Sequence, residues 1–236
     1  MKHELAAIAL LPVLFGQAVV VRRRTPRLPE PQGNRSGSEG SGNRLRLFIV
    51  GDSAAAGVGV STQRDALAGR LVSHLSGDFH VEWKLEAKTS RKAVDVCLIL
   101  EAQAQKEFDV AVTSIGVNDV THLTSLGKWI RQQEAIVGLL RSKFHVRHIL
   151  LTGLPPMHMF PSLPQPLRWY LGARASRFNK ELKSFADRSA ICEFVAIDYP
   201  LEPAYMASDG FHPGAPAYDL WGRHAACVIR RRFDGA

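Results

Sequence analysis

At 236 residues and 46% hydrophobic content, the chain is sized for one main domain with a substantial core. A formal net charge of +8 permits contact with nucleic acid or an anionic membrane surface. The arginines cluster at 22–24 with Arg27 and again at 230–232, without the interleaved aromatics that stack on bases, so nucleic acid is not an expected partner.

Residues 5–21 are apolar except for Gln17, interrupted by Pro12 and Gly16, and run straight into Arg22, Arg23 and Arg24. That length sits at the lower limit for spanning a bilayer, roughly 17 residues. The basic end lies downstream, opposite to a secretory signal, and would hold the rest of the chain on the cytoplasmic side. Residues 1–21 are therefore expected to form a membrane anchor, with residues 5–24 touching a membrane surface. Packing of this arm on the domain, or on another chain, is the alternative. Residues 22–43 are rich in Pro, Gly, Ser and Arg with few apolar residues, and predict a disordered linker. The folded domain is expected over 44–236.

Its first strand ends in Leu47-Phe-Ile-Val50, apolar without alternation, as in a parallel sheet covered on both faces. It stops at Gly51-Asp52-Ser53, a tight turn that delivers a serine beyond the strand's carboxyl end, where such sheets bind ligands. A helix follows over 65–75, with Leu67, Leu71, Val72 and Leu75 at helical spacing. Val81, Trp83 and Leu85 alternate as a second strand, and 93–107 fits a helix. Residues 110–114 make a third strand and 128–144 a helix with Trp129, Ile130, Ile136, Val137 and Leu140 inward. A fourth strand spans 148–152, a long helix 167–189, a fifth strand 194–197 and a last helix 215–232. This alternation predicts a central five-stranded parallel sheet wrapped by helices. Cys97, Cys192 and Cys227 are far apart in apolar surroundings and read as small core residues of a reducing compartment. No spacing suggests a metal site.

Two later stretches share the serine's rim. Gly116-Val117-Asn118-Asp119 follows the third strand, and the Asn118 amide can reach the same crevice; capping a helix is its other role. Asp209-Gly210-Phe211-His212 precedes the last helix. Asp and His three apart on a turn bring a carboxylate to one imidazole nitrogen and leave the other for a serine, although a plain Asp-Gly turn has the same pattern.

Together these stretches resemble blocks I, III and V of the SGNH/GDSL hydrolase family, a match running from about residue 45 to the end. The resemblance implies a flavodoxin-like three-layer α/β/α fold and serine esterase activity. Ser53 would be the nucleophile, His212 the general base and then acid, and Asp209 its orienting partner. The oxyanion hole would come from the Ser53 N–H, the Asn118 side chain and a block II N–H, with Gly51, Asp52, Gly116 and Asp119 as supporting motif residues. No metal or organic cofactor is required. Block II departs from the family: where a glycine is usual the chain offers none, and Ser90 falls nearest. Its N–H survives the change, but a side chain restricts access to positive φ. Ala54 stands where the family has leucine.

The substrate expected from this reading is a small-molecule or lipid ester, a lysophospholipid among the candidates given the apolar N-terminal arm. A carbohydrate O-deacetylase of the same fold and a membrane-tethered binding domain with weakened catalysis are the alternatives. Met157, Met159, Phe160 and Leu163, in the proline-rich stretch 154–166, are candidates for an acyl pocket or for loop packing. Oligomeric state is not legible.

Overall fold

The computed structural model describes residues 10–197, 200 and 202–233. Helix α1 (Leu11–Arg24) is followed by strands β1 (Ser36–Glu39) and β2 (Asn43–Gly51), then helices α2 (Ser53–Ala56) and α3 (Leu67–Leu75). Next come β3 (Phe79–Ala87), α4 (Ala93–Ala102), β4 (Val110–Ser114), α5 (Val117–Thr121) and α6 (Leu126–Ser142). The chain ends with β5 (His148–Thr152), α7 (Leu167–Asp187), β6 (Cys192–Val195) and α8 (Ala215–Phe233).

The sheet has six strands in the order β1-β3-β2-β4-β5-β6. Five run parallel, and β1 pairs antiparallel along β3, with Gly37 opposite Trp83. The strand number therefore exceeds the expected five, and the extra strand comes from the stretch read as a disordered linker. That stretch lies against the domain: Gln32 exchanges backbone hydrogen bonds with Ser61 and Gln63, and the Arg35 carbonyl accepts from Leu85 N–H at 2.7 Å. Without β1, the parallel strands follow the doubly wound order 2-1-3-4-5, whose direction reverses between β2 and β4. Ligand crevices open at that switch point.

Consecutive residues of β2 point to opposite faces, and both faces are covered. Phe48 and Val50 join Ala111, Ile149 and Leu151 beneath α4, α6 and α7. Leu47 and Ile49 join Val110, Val112 and Leu150 beneath α3 and α8. The apolar run is continuous because neither face of the strand meets water. At its end Gly51, Ala87 and Ser114 stand level in register, so three loops leave the sheet at one rim.

Helix α1 starts with Pro12 in its first turn, where a missing N–H costs nothing. It rests on the domain through buried Leu14 and through Gln17, which donates to the Gln165 carbonyl at 2.6 Å and accepts the Leu167 N–H at 3.0 Å. No helix among the described residues is long and apolar enough to cross a membrane. The rest of the expected anchor, residues 1–9, lies outside the described residues.

Candidate active site

The first loop at the rim is shaped by close approach. A Cβ on Gly51 would lie 2.4 Å from the Ser114 carbonyl oxygen and 2.5 Å from the Ala55 Cβ, so only glycine fits there. Asp52 caps α2, its Oδ1 accepting the Ala54 N–H at 3.1 Å, and Ser53 opens that helix. Burial pushes the Asp52 carboxyl up to about 6, against the N–H groups of Ala54 and Gly116 and the charge of His212, which favour the carboxylate. Asp52 thereby ties the end of β2 to the end of β4. From α8, the buried Tyr218 hydroxyl donates across to the Val58 and Ala54 carbonyls at 2.7 and 3.0 Å, clamping the serine helix.

The loop before α8 brings the other two groups. His212 Nε2 lies 2.9 Å from Ser53 Oγ, and His212 Nδ1 lies 2.5 Å from Asp209 Oδ2. The second oxygen of Asp209 accepts the Phe211 and His212 N–H groups at 2.9 and 3.0 Å, so the carboxylate is held by its own turn. Burial pushes the Asp209 carboxyl up, but the His212 side chain, these N–H groups and the imidazole's charge outweigh it and hold it below the ordinary range. With the carboxylate on Nδ1, the neutral ring keeps its proton there and turns the lone pair of Nε2 toward the serine.

Asn118 sits in α5, immediately beyond β4, and donates one amide N–H to the Arg91 carbonyl at 3.0 Å. That bond fixes the amide plane and leaves its second N–H to point elsewhere. Gly116, at φ +148°, makes the turn that places it; a Cβ there would come within 3.0 Å of the Trp129 ring. Asp119 turns back to accept the Ala93 N–H at 2.9 Å, pinning the start of α4. Ser90, after β3, has φ +69°. It occupies the left-handed conformation that glycine would take freely, at a cost of about 1–2 kcal/mol for a residue with a Cβ. Among the described residues the Ser90 N–H has no hydrogen-bond partner, and its side chain makes no hydrogen bond to Ser53 or His212.

A family model described as the GDSL-like Lipase/Acylhydrolase family matches residues 49–220. The chain belongs to this family. As a GDSL-like hydrolase it is an ester-hydrolysing enzyme, and its mixed sheet and helical layers are those of the family fold. It is similar to the GDSL-like esterase Rv1075c of Mycobacterium tuberculosis, 27% identical over 232 residues that cover 88% of this chain and 73% of that one. Among solved structures it resembles the lipase Lip_vut3 from a goat rumen metagenome, with a TM-score of 0.59 at 18% identity over 78% of this chain and 97% of the other. A carbohydrate acetylesterase family member from Sinorhizobium meliloti gives a TM-score of 0.57 at 19% identity over 80% of this chain and 99% of its own.

Two expectations about individual residues change in this GDSL-like hydrolase. Met157 and Phe160 are buried in the core under α7 and anchor the loop; Leu163 is buried too but borders the cavity between α1 and Asp209, and Met159 is exposed. Of the three cysteines only Cys97 is buried, while Cys192 is half-buried and Cys227 is exposed on α8. Tyr218, the Arg91 carbonyl and Glu30, which bonds the Ser90 loop, were not legible beforehand. A hydroxyl six residues past the histidine, a main-chain oxygen and an acid in a Pro/Gly-rich stretch carry no pattern of their own.

Proposed function

We propose that this enzyme is a serine hydrolase of carboxylic esters in which Ser53 attacks the carbonyl, His212 takes and returns the proton, and Asp209 orients His212. The observation that carries the reading is the single line of contacts from Asp209 through both imidazole nitrogens to the Ser53 hydroxyl, at 2.5 and 2.9 Å. As Oγ bonds to the carbonyl carbon, its proton passes to Nε2 and the imidazolium is stabilised by the buried carboxylate. Negative charge grows on the former carbonyl oxygen. The Ser53 N–H, the second amide N–H of Asn118 and the Ser90 N–H receive it in place of water. The imidazolium protonates the departing alcohol, and a water deprotonated by His212 then releases the acid and restores Ser53.

Within ester hydrolysis, a short acyl group such as acetate fits better than a long chain. Burial of Met157 and Phe160 in the core removes two side chains suited to a wide acyl pocket. The resemblance to a protein named as a carbohydrate acetylesterase agrees with that preference. Turnover of p-nitrophenyl acetate by the full chain, beside the butyrate and octanoate esters, tests both points. Ser53→Ala is expected to lose about 10⁴-fold or more in kcat. Hydrolysis undiminished in that variant refutes the nucleophile, and a preference for octanoate refutes the short-acyl reading.

Helix α1 supports a location at the cytoplasmic face of an anionic membrane. Its outward residues Leu11, Val13, Phe15 and Val20 are exposed, Phe15 by 74%, and exposed Arg22, Arg23 and Arg24 follow. Apolar contact plus basic charge is the combination that binds a charged lipid surface. Co-flotation of the full chain with phosphatidylglycerol vesicles but not with phosphatidylcholine vesicles is the expected result. Flotation with neither, or a self-associated species abolished by Phe15→Asp, refutes this location.

A further inference from the structure

Two of the residues that hold the Ser90 loop, Glu30 and Arg35, lie outside the stretch matched by the family model. Glu30 Oε1 accepts the Thr89 N–H at 2.6 Å and the Thr89 hydroxyl at 2.8 Å. Its other oxygen pairs with Arg35 Nη1 at 3.1 Å, and Arg35 also donates to the Ala87 carbonyl. One carboxylate and one guanidinium thus grip the loop at residues 87 and 89. The Lys88 N–H between them bonds the Gly51 carbonyl at 3.3 Å, one residue before the motif aspartate. On the far side Asn118 takes the Arg91 carbonyl and Asp119 the Ala93 N–H. Ser90 stands between these two sets of bonds with φ +69° and a free N–H.

We infer that Glu30 is a positioning residue for the oxyanion hole: by fixing Thr89 it keeps the following peptide turned so that the Ser90 N–H faces the developing oxyanion. Glycine reaches this backbone conformation without steric cost, whereas serine needs an external restraint. The departure at block II and the acid in the N-terminal segment are then two halves of one arrangement. Burial pushes the Glu30 carboxyl up, but its bonds to Thr89 and Arg35 prevail and keep it below the ordinary range, so it holds the loop as a carboxylate. The inference rests on the reading of Ser90 as the third oxyanion donor.

Four full-length proteins test it: the parent, Glu30→Ala, Ser90→Gly and the double variant, with kcat and KM on p-nitrophenyl acetate and thermal unfolding measured for each. Losing one oxyanion donor outright lowers kcat by about 10²–10³-fold, which bounds the effect. Glu30→Ala is expected to lower kcat by about 10- to 100-fold with KM within about threefold. In the Ser90→Gly background the same removal is expected to cost at least about fivefold less. Glu30→Gln, which keeps an oxygen for Thr89, is expected to fall between the parent and Glu30→Ala. An equal loss in both backgrounds, a change in KM alone, or a lowered unfolding temperature with kcat intact overturns the positioning role. Ser53→Ala runs beside them. If it is inactive while Glu30→Ala matches the parent, only the positioning role fails; if it stays active, the nucleophile and everything resting on it fail together.

Discussion

Replacing Asp209 by asparagine should switch off the proposed chemistry while sparing the fold. Three N–H groups converge on this carboxylate: Phe211 and His212 on Oδ1 at 2.9 and 3.0 Å, and the ring Nδ1 on Oδ2 at 2.5 Å. An asparagine of the same shape keeps Oδ1 and both backbone bonds, but puts an N–H donor where Oδ2 was. Two donors cannot share that contact, so Nδ1 must become the acceptor and the neutral ring must carry its proton on Nε2. That proton then points at Ser53 Oγ, 2.9 Å away, and the nitrogen that should accept is already occupied. A wrong tautomer of this kind costs about 10⁴-fold in kcat, or about 5 kcal/mol of barrier at about 1.36 kcal/mol per tenfold. Because the two backbone bonds persist, the unfolding temperature should move by only a few degrees. Steady-state hydrolysis of p-nitrophenyl acetate and a thermal melt, run on Asp209→Asn and the parent, measure both quantities. A kcat within about tenfold of the parent would show that the carboxylate does not set the tautomer.

Other perturbations separate the remaining parts. Asn118→Ala should lower kcat by about 10²–10³-fold with little change in KM, since its amide acts on charge that exists only in the transition state; a loss confined to KM contradicts that. Tyr218→Phe should destabilise by about 1–3 kcal/mol, as a buried carbonyl loses its donor. In a chain of this size that is a fall of about 2–4 °C in Tm per kcal/mol, read by calorimetry, and an unchanged Tm would exclude the clamp. Asp52 has a raised folded pKa of about 6 against an ordinary value of 3.8, so the folded state binds more protons in that interval. Stability should therefore fall as pH rises from about 4 to 6, and Asp52→Asn should flatten the decline. Urea unfolding at pH 4 and pH 7 checks it, and an identical decline in both proteins would assign the proton to another group.

What could be read beforehand followed from burial. Residues 110–114 and 148–152 were placed to the residue because continuous β-branched and aliphatic runs there meet helices on both faces. The last parallel strand, expected over 194–197, forms over Cys192–Val195, because the charge of Glu193, its second residue, obscures pairing that Ile149 and Leu150 enforce from β5. Strand β1 left no trace in composition: all four residues of Ser36–Glu39 are exposed, and only main-chain bonds to β3 define it. The stretches at Ser53, Asn118 and His212 stand out in the sequence because each follows a recognisable strand or precedes a helix. At Ser90 the position stands out but the bonds that hold its loop do not, since Glu30, which binds Thr89, lies 60 residues upstream of Ser90. The apolar residues of 154–166 were ambiguous for a related reason: sequence cannot tell a side chain turned into a core from one turned toward a ligand.

Strand β1 carries one more consequence. By lying along β3 it occupies main-chain donors and acceptors that would otherwise form an open border of the sheet. A version of the protein lacking residues 36–39 would uncover that border at Val81, Glu82, Trp83 and Lys84. Uncapped margins of this sort recruit strands from neighbouring molecules. The short polar ribbon at 36–39 therefore works as a selvedge, keeping each molecule's sheet from being extended by the next.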